Sequence, residues 1–102
     1  MSLELVIRPE AEADALEAFQ WYNEQVRGLG QEFLTEIDHA LESILAHPEA
    51  NRKIYREYRR GLVRRFPYSI FYSIQGERLV VFGIFHAARN PRAWRRRGKD
   101  AL

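Results

Sequence analysis

The sequence predicts an α+β fold, in which an N-terminal strand and an antiparallel two-helix hairpin pack on a mostly antiparallel, strongly twisted sheet of about four to five strands. Two observations predict it. Apolar residues before position 48 recur at three- and four-residue spacing, which is typical of amphipathic helices. After position 52 they come in short alternating or continuous runs bounded by glycine and proline, which is typical of strands. The 102 residues are long enough for one core, so we expect a single domain over residues 1–102.

Residues 1–8 predict a strand because Leu3, Leu5 and Ile7 recur at every second position. Residues 9–47 predict the helical hairpin. Its first helix begins at Pro9, a favoured first residue of helices, and runs to about residue 26. A short glycine-containing turn follows, and such a short connection places two helices antiparallel.

Residues 53–86 predict the antiparallel sheet, with candidate strands at residues 54–58, 62–66, 68–74 and 79–85. Gly76 and Glu77 predict a type II′ hairpin turn, because glycine accepts the positive φ of its first central position. The last strand is uniformly apolar, so we expect it to be an interior strand covered on both faces. Pro91 and Gly98 argue against a long helix, so we expect residues 87–102 to form a mobile basic tail anchored by Trp94.

The two halves of the chain carry opposite charge. Residues 1–51 contain two basic and eleven acidic residues, a formal charge of −9, whereas residues 52–102 contain fourteen basic and three acidic residues, a formal charge of +11. Mutual neutralisation is one explanation, but surface ion pairs contribute only about 0 to 1 kcal/mol each. The asymmetry therefore predicts a partner that is an acidic protein segment or a nucleic acid.

Several classes of protein are disfavoured by composition. The sequence has no cysteine and three scattered histidines, so we expect no disulfide, no metal site, no cofactor and no small-molecule substrate. No apolar run approaches the roughly 20 residues of a membrane span, and no signal-peptide pattern is visible. We expect a cytoplasmic protein that makes no contact with membranes.

Arginine dominates the basic half, since only two of its fourteen basic residues are lysines. The guanidinium group binds phosphate or carboxylate in a bidentate manner, so a cluster of arginines on one sheet face predicts a site for RNA backbone or an acidic peptide. The alternative is a solvated sheet face whose charges discourage aggregation. The first cluster, on adjacent predicted strands and the turn between them, consists of Arg56, Arg59, Arg60, Arg64 and Arg65.

Residues 89–99 form the second basic segment, with six basic residues and one tryptophan. Basic side chains interleaved with an aromatic ring can bind nucleic acid through phosphate contacts and stacking. They can equally dock on a protein, where tryptophan and arginine are favoured hot-spot residues. The candidate binding residues in this segment are Arg89, Arg92, Trp94, Arg95 and Arg96.

His86 and Arg89 end the last predicted strand and are candidates for chemistry. A histidine there could act as general acid or base in RNA cleavage, with arginine stabilising the charged phosphorane. The alternative, which we favour, is that His86 ends the strand and orients the tail, because no acidic residue near it would orient the imidazole.

The order of these elements, over essentially the whole chain, resembles the RelE/ParE toxin superfamily. The resemblance rests on Arg-Arg-Phe-Pro-Tyr at residues 64–68, which continues into Ile-Phe-Tyr at 70–72, and on the apolar run from Val80 into His-Ala-Ala-Arg-Asn-Pro at 86–91, with Trp94 beyond. It is greatest for the ParE, or plasmid-stabilisation, branch. It implies the toxin of a bacterial toxin–antitoxin pair, neutralised by a cognate antitoxin whose C-terminal segment folds along the sheet and helices.

The two branches imply different targets. ParE-like toxins inhibit DNA gyrase, whereas RelE-like toxins cleave mRNA on the ribosome, and a decayed, non-toxic family member is a third possibility. The nuclease alternative would use His86, Arg65 and Arg89 as catalytic residues. We favour the gyrase inhibitor, which is not an enzyme and needs only a binding face. RelE-like nucleases resemble one another in placing basic side chains on the sheet and a proton-transferring tyrosine or histidine near the C-terminus, whereas this chain has no tyrosine after Tyr72 and no lysine in its central strands. The acidic half would then be scaffold, and antitoxin and target would compete for arginines of the basic half.

Overall fold

The computed structural model describes residues 3–101, which form five strands and three helices. In chain order these are β1 (Glu4–Ile7), α1 (Pro9–Gln25), α2 (Leu29–Ala46), β2 (Lys53–Tyr55), β3 (Tyr58–Leu62), β4 (Tyr68–Gln75), β5 (Arg78–His86) and α3 (Pro91–Ala101). The strands form one sheet in the order β1-β5-β4-β3-β2, in which only β1 and β5 are parallel. This confirms the predicted α+β class. None of the helices within residues 3–101 has the length and apolar character needed to cross a membrane.

The sheet has two apolar faces, and each is covered by helices. The hairpin of α1 and α2 packs Tyr22, Phe33 and Ile37 against one face, where they meet β4 and β5. On the other face Trp94 of α3 packs with Phe82 of β5 and neighbouring aromatic residues. β5 is buried from position 79 to position 85, as the apolar run predicts for an interior strand.

A β-bulge in β5 allows both faces to be filled by large side chains. Phe71 lies opposite Gly83 and Tyr72 lies opposite Val81, so that Phe82 is an additional residue in the ladder. A bulge interrupts the strict alternation of side chains between the faces. As a result Phe82 and Phe85 both belong to the cluster beneath α3.

The predicted helical hairpin and the predicted hairpin at Gly76 agree closely with the structure. α1 ends one residue before the predicted boundary, and α2 ends at Ala46, next to the predicted end. Gly76 has φ of +62°, whereas Glu77 has no positive φ, in agreement with a type II′ turn between β4 and β5.

The predicted strands at residues 54–58 and 62–66 are wrong in position. β2 ends at Tyr55 because Arg56 adopts a φ of +53°, which turns the chain into β3. Arg65 has a φ of +69°, so the residues after Leu62 leave the extended conformation and form a loop. Short apolar runs do not determine a strand register by periodicity alone. The predicted arginine cluster is consequently distributed over a turn, a strand and a loop.

The prediction that no long helix follows residue 87 is also wrong, because residues 91–101 form α3. Pro91 is the first residue of the helix, where its missing N–H has no helical partner to lose. The side chain of Asn90 caps the helix, accepting a hydrogen bond from the Arg92 N–H at 2.9 Å. Gly98 faces the sheet so closely that a Cβ atom there would lie 2.7 Å from the ring of Tyr58. Glycine thus permits close packing here rather than ending the helix.

Candidate binding surfaces

A cleft of about 510 Å³ lies between α1 and one end of the sheet. At this end β5 finishes and the chain continues into the loop before α3. Glu17 and Trp21 line it from α1, Tyr68 and His86 from the sheet, and Arg89 from the following loop. Trp21 is 55% exposed, which is unusual for a large aromatic side chain. Apolar walls with a few charged groups are typical of binding sites.

His86 is held by local contacts within this cleft. Its Nδ1 accepts a hydrogen bond from the Ala88 N–H at 3.0 Å, and its ring meets the Tyr68 ring edge to face with centroids 5.2 Å apart. Both contacts support the role of orienting the chain after β5. The expectation that no acidic residue lies near His86 is wrong, because Asp14 and Glu17 line the same cleft. Both are about 70 residues away in the sequence, so the fold alone brings them together.

Burial raises the pKa of two tyrosines that line the cleft. Burial raises the pKa of Tyr22 above its ordinary value of 10.0. Burial also raises the pKa of Tyr68, and the nearby Tyr22, Glu17 and Asp14 raise it further. Each phenol has a hydroxyl that can donate a hydrogen bond to a ligand in the cleft.

The wall of the cleft is fixed by an ion pair that the sequence did not indicate. Asp14 Oδ2 lies 2.9 Å from Arg97 Nη1 and also accepts a hydrogen bond from the Ile84 N–H at 3.0 Å. Arg97 Nη1 donates in addition to the Phe82 carbonyl oxygen at 3.1 Å. The partners are 83 residues apart in the chain, so no local pattern could have revealed the pair.

A second hollow, of about 290 Å³, lies between the β2–β3 turn and α3. We call its lining the α3–β2 patch, which consists of Tyr55, Arg56, Tyr58, Arg95, Arg96 and Lys99. The guanidinium carbons of Arg95 and Arg56 lie 4.6 Å and 5.3 Å from the centroid of the Tyr55 ring. Three of the predicted binding arginines, from two separate elements, therefore meet at one site.

Two other predicted arginines are engaged in contacts within the fold. Arg59 Nη1 donates hydrogen bonds to the carbonyl oxygens of Asn51 at 2.6 Å and Glu49 at 3.3 Å. Arg65 Nη2 lies 2.8 Å from Glu32 Oε1 on α2, and this hydrogen bond raises the pKa of the guanidinium. Both residues join the basic half to the end or flank of α2.

The remaining predicted residues occupy different surroundings. Arg60, Arg64 and Arg92 are exposed and line neither hollow. Trp94 is only 8% exposed and stacks on Phe71, with ring centroids 5.1 Å apart. Its observed role is to anchor α3, as the sequence predicted for the segment.

The three residues of the nuclease alternative do not share one site. His86 and Arg89 line the cleft beside α1, and the Arg89 guanidinium lies 5.3 Å from the centroid of the Phe85 ring. Arg65 lies outside this lining, paired with Glu32.

Comparison with known proteins connects this geometry to a family. Residues 5–91 match the family described as the ParE toxin of the type II toxin–antitoxin system, parDE. The chain belongs to this family. The matched part of this ParE-family toxin includes most of β1, the helical hairpin, the rest of the sheet and the loop to α3. It ends at Pro91, so Arg95, Arg96 and Lys99 of the α3–β2 patch lie beyond it.

Two solved structures share the fold of the ParE-family toxin. The chromosomal ParDE TA system from P. aeruginosa matches with a TM-score of 0.74 and 17% identity, covering 83% of this chain and 96% of that one. The YoeB dimer from Staphylococcus aureus matches with a TM-score of 0.54 and 13% identity, covering 84% of this chain and 99% of that one. No curated protein sequence matches the chain significantly.

Proposed function

We propose that this ParE-family toxin inhibits DNA gyrase in the bacterial cytoplasm and is neutralised by a cognate antitoxin. The observation that carries the proposal is the family match over residues 5–91, which spans both helices of the hairpin and the sheet. The choice of gyrase over the ribosome rests on membership of the ParE branch.

The site geometry supports a binding protein in preference to a nuclease. General acid–base catalysis requires groups within hydrogen-bond reach of a common reacting atom. Arg65 is paired with Glu32 and lies outside the cleft that holds His86 and Arg89. The Nδ1 atom of His86 is occupied by the Ala88 N–H, which leaves only Nε2 for proton transfer.

The cleft beside α1 fits an antitoxin segment that folds on binding. Such a segment must bury apolar side chains to offset the loss of conformational entropy. Trp21 and Tyr68 offer an aromatic surface to the segment. Glu17 and Arg89 offer one negative and one positive charge, which can pair with polar residues that flank its apolar side chains. α1 would thus contribute to binding, which extends the antitoxin site beyond the basic half.

A supercoiling assay tests the choice of target. Relaxed plasmid is incubated with purified gyrase, ATP and increasing amounts of the toxin, and the supercoiled product is measured. We expect inhibition that increases with toxin and disappears when the cognate antitoxin is added first. Unchanged supercoiling at high molar excess, together with cleavage of mRNA in a translation assay, would replace gyrase by the ribosome.

A matched pair of variants tests the antitoxin site. Trp21 and Leu16 are both apolar residues of α1 and both 55% exposed, but only Trp21 lines the cleft. We expect Trp21→Ala to weaken antitoxin binding, and Leu16→Ala to bind the antitoxin as the unaltered toxin does. Equal affinity of the two variants in titration calorimetry would remove the cleft from the proposed interface.

A further inference from the structure

We infer that the α3–β2 patch binds the phosphate backbone of duplex DNA. Its four cations, Arg56, Arg95, Arg96 and Lys99, come from a turn and from a helix that are far apart in the sequence. The family match ends at Pro91 and does not account for this convergence.

Positive charge is concentrated at the patch. The two guanidinium groups over the Tyr55 ring repel each other, and the ring attracts each of them by only about 0.5 to 1 kcal/mol at an exposed site. Among the described residues none of the four cations forms an ion pair. The nearby carboxylate of Glu57 is bonded to Lys53 at 2.9 Å instead. An anion bound in the hollow would relieve the repulsion among all four cations.

The backbone of Arg56 adds a second observation. Its φ of +53° lies in the left-handed region, which costs a non-glycine residue roughly 1 to 2 kcal/mol. Glycine would adopt this conformation without that cost. An arginine nevertheless occupies this position, and its observed contact is with the Tyr55 ring at the edge of the hollow.

The lining favours DNA over an acidic peptide. A peptide that folds on binding needs apolar side chains to pack against, but four of the six residues that line the patch are cations, and Tyr58 is buried beneath them. The exposed Leu16 and Trp21 lie on α1, which covers the opposite face of the sheet. Arginines in a bidentate fork and a lysine point charge are the usual protein ligands of phosphate.

The inference deepens the proposed function, since gyrase acts on duplex DNA, and it rests on that proposal only for its biological meaning. DNA bound to the patch would hold the toxin beside the DNA segment on which gyrase works. Binding is measured here without gyrase, so a failure of this inference and a failure of the gyrase proposal appear in separate assays.

The experiment measures fluorescence anisotropy of a labelled duplex of about 20 base pairs against toxin concentration, at several salt concentrations. Each phosphate contact adds about −0.9 to the slope of log affinity against log salt, so four contacts give about −3.6. A fourfold rise in salt should weaken binding by the unaltered toxin about a hundredfold. The double variant Arg95→Ala with Arg96→Ala should have half the slope. The same fourfold rise in salt should therefore weaken its binding only about tenfold.

Two further variants separate the patch from net charge and from folding. Arg27→Ala with Arg78→Ala removes two exposed arginines outside the patch and should keep the full slope. Arg56→Gly suits the positive φ, should not destabilise the fold, and should reduce the slope by about 0.9. No DNA binding by the unaltered toxin would overturn the inference. So would equal slopes for the patch and control variants, or tighter patch-dependent binding of an RNA duplex or an acidic peptide.

Discussion

Asp14 of α1 and Arg97 of α3 form an ion pair that joins the helices covering opposite faces of the sheet, with Oδ2 and Nη1 2.9 Å apart. β1 pairs with β5 only as far as Val81, and beyond that point the Asp14 carboxylate accepts the Ile84 N–H. The pair therefore completes the edge of β5 and fixes the position of α3. Both hollows depend on it, since Asp14 lines the cleft and α3 carries half of the α3–β2 patch.

Loss of the carboxylate should destabilise the toxin. Asp14→Ala leaves Arg97 without its partner and the Ile84 N–H without an acceptor, and both partners of the pair are less than a quarter exposed. We expect the free energy of unfolding in urea to fall by about 2 to 3 kcal/mol. Arg78→Ala breaks the exposed pair with Glu4 and should cost less than about 1 kcal/mol. If both variants lowered the free energy of unfolding by the same amount, the Asp14–Arg97 pair would stabilise the toxin no more than an exposed ion pair does.

A side chain at Gly98 should lift α3 from the sheet. The Cβ atom of Gly98→Ala would meet the ring of Tyr58, which is only 1% exposed and has little room to move. Alanine favours the helix by about 1 kcal/mol, but overpacking of a core costs about 1 to 3 kcal/mol. We expect a lower melting temperature for Gly98→Ala, whereas Lys99→Ala on the exposed side should melt within a few degrees of the unaltered toxin. A higher melting temperature for Gly98→Ala would contradict close packing of α3.

The hydroxyl of Tyr72 should stabilise the connection from α2 to β2. It donates to the Pro48 carbonyl oxygen at 2.8 Å and accepts from Asn51 Nδ2 at 3.3 Å, and Tyr72 is fully buried. Tyr72→Phe preserves the packing of the ring but removes both bonds, so we expect a loss of about 1 to 2 kcal/mol in urea unfolding. Tyr55→Phe is the control, because the Tyr55 ring is only half-buried and acts through its face. An unchanged free energy of unfolding for Tyr72→Phe would mean that water replaces the hydroxyl without cost.

Stability should fall at alkaline pH. Burial raises the pKa values of Tyr22, Tyr58 and Tyr68 in the folded protein, whereas in the unfolded chain these phenols titrate near 10. The unfolded state therefore releases protons first. The stability that these groups contribute is complete below about pH 10 and is lost as the pH rises towards their folded pKa values. Tyrosinate absorbance should appear at higher pH in native toxin than in guanidinium chloride, and coincident titration curves would contradict this burial effect.

The fold was predictable from local signals where those signals were strong. Pro9 marked the start of α1, Gly76 marked the hairpin between β4 and β5, and the apolar run after Arg78 marked the interior strand. The β2–β3 hairpin was misplaced because it turns at Arg56, a residue that rarely adopts positive φ. The helix α3 was missed because glycine within a short segment usually indicates the end of a helix. In the structure Gly98 instead allows α3 to pack closely on the ring of Tyr58.

The binding surfaces were only partly predictable, because they combine distant segments. The sequence indicated Arg56, Arg95 and Arg96 as binding residues, and these meet at the α3–β2 patch. It did not indicate Trp21, since a tryptophan in an amphipathic helix is ordinarily part of the core. Arg59 and Arg65 have charge partners or acceptors on or near α2 that composition alone could not assign.

Gyrase-dependent DNA cleavage tests the central claim most directly. Supercoiled plasmid is incubated with gyrase and the toxin, the complex is denatured and digested with protease, and linear DNA is measured. The account predicts that linear DNA accumulates with the unaltered toxin and that prior addition of the antitoxin prevents it. Absence of linear DNA at high molar excess of a folded toxin, with supercoiling also unaffected, would contradict the claim.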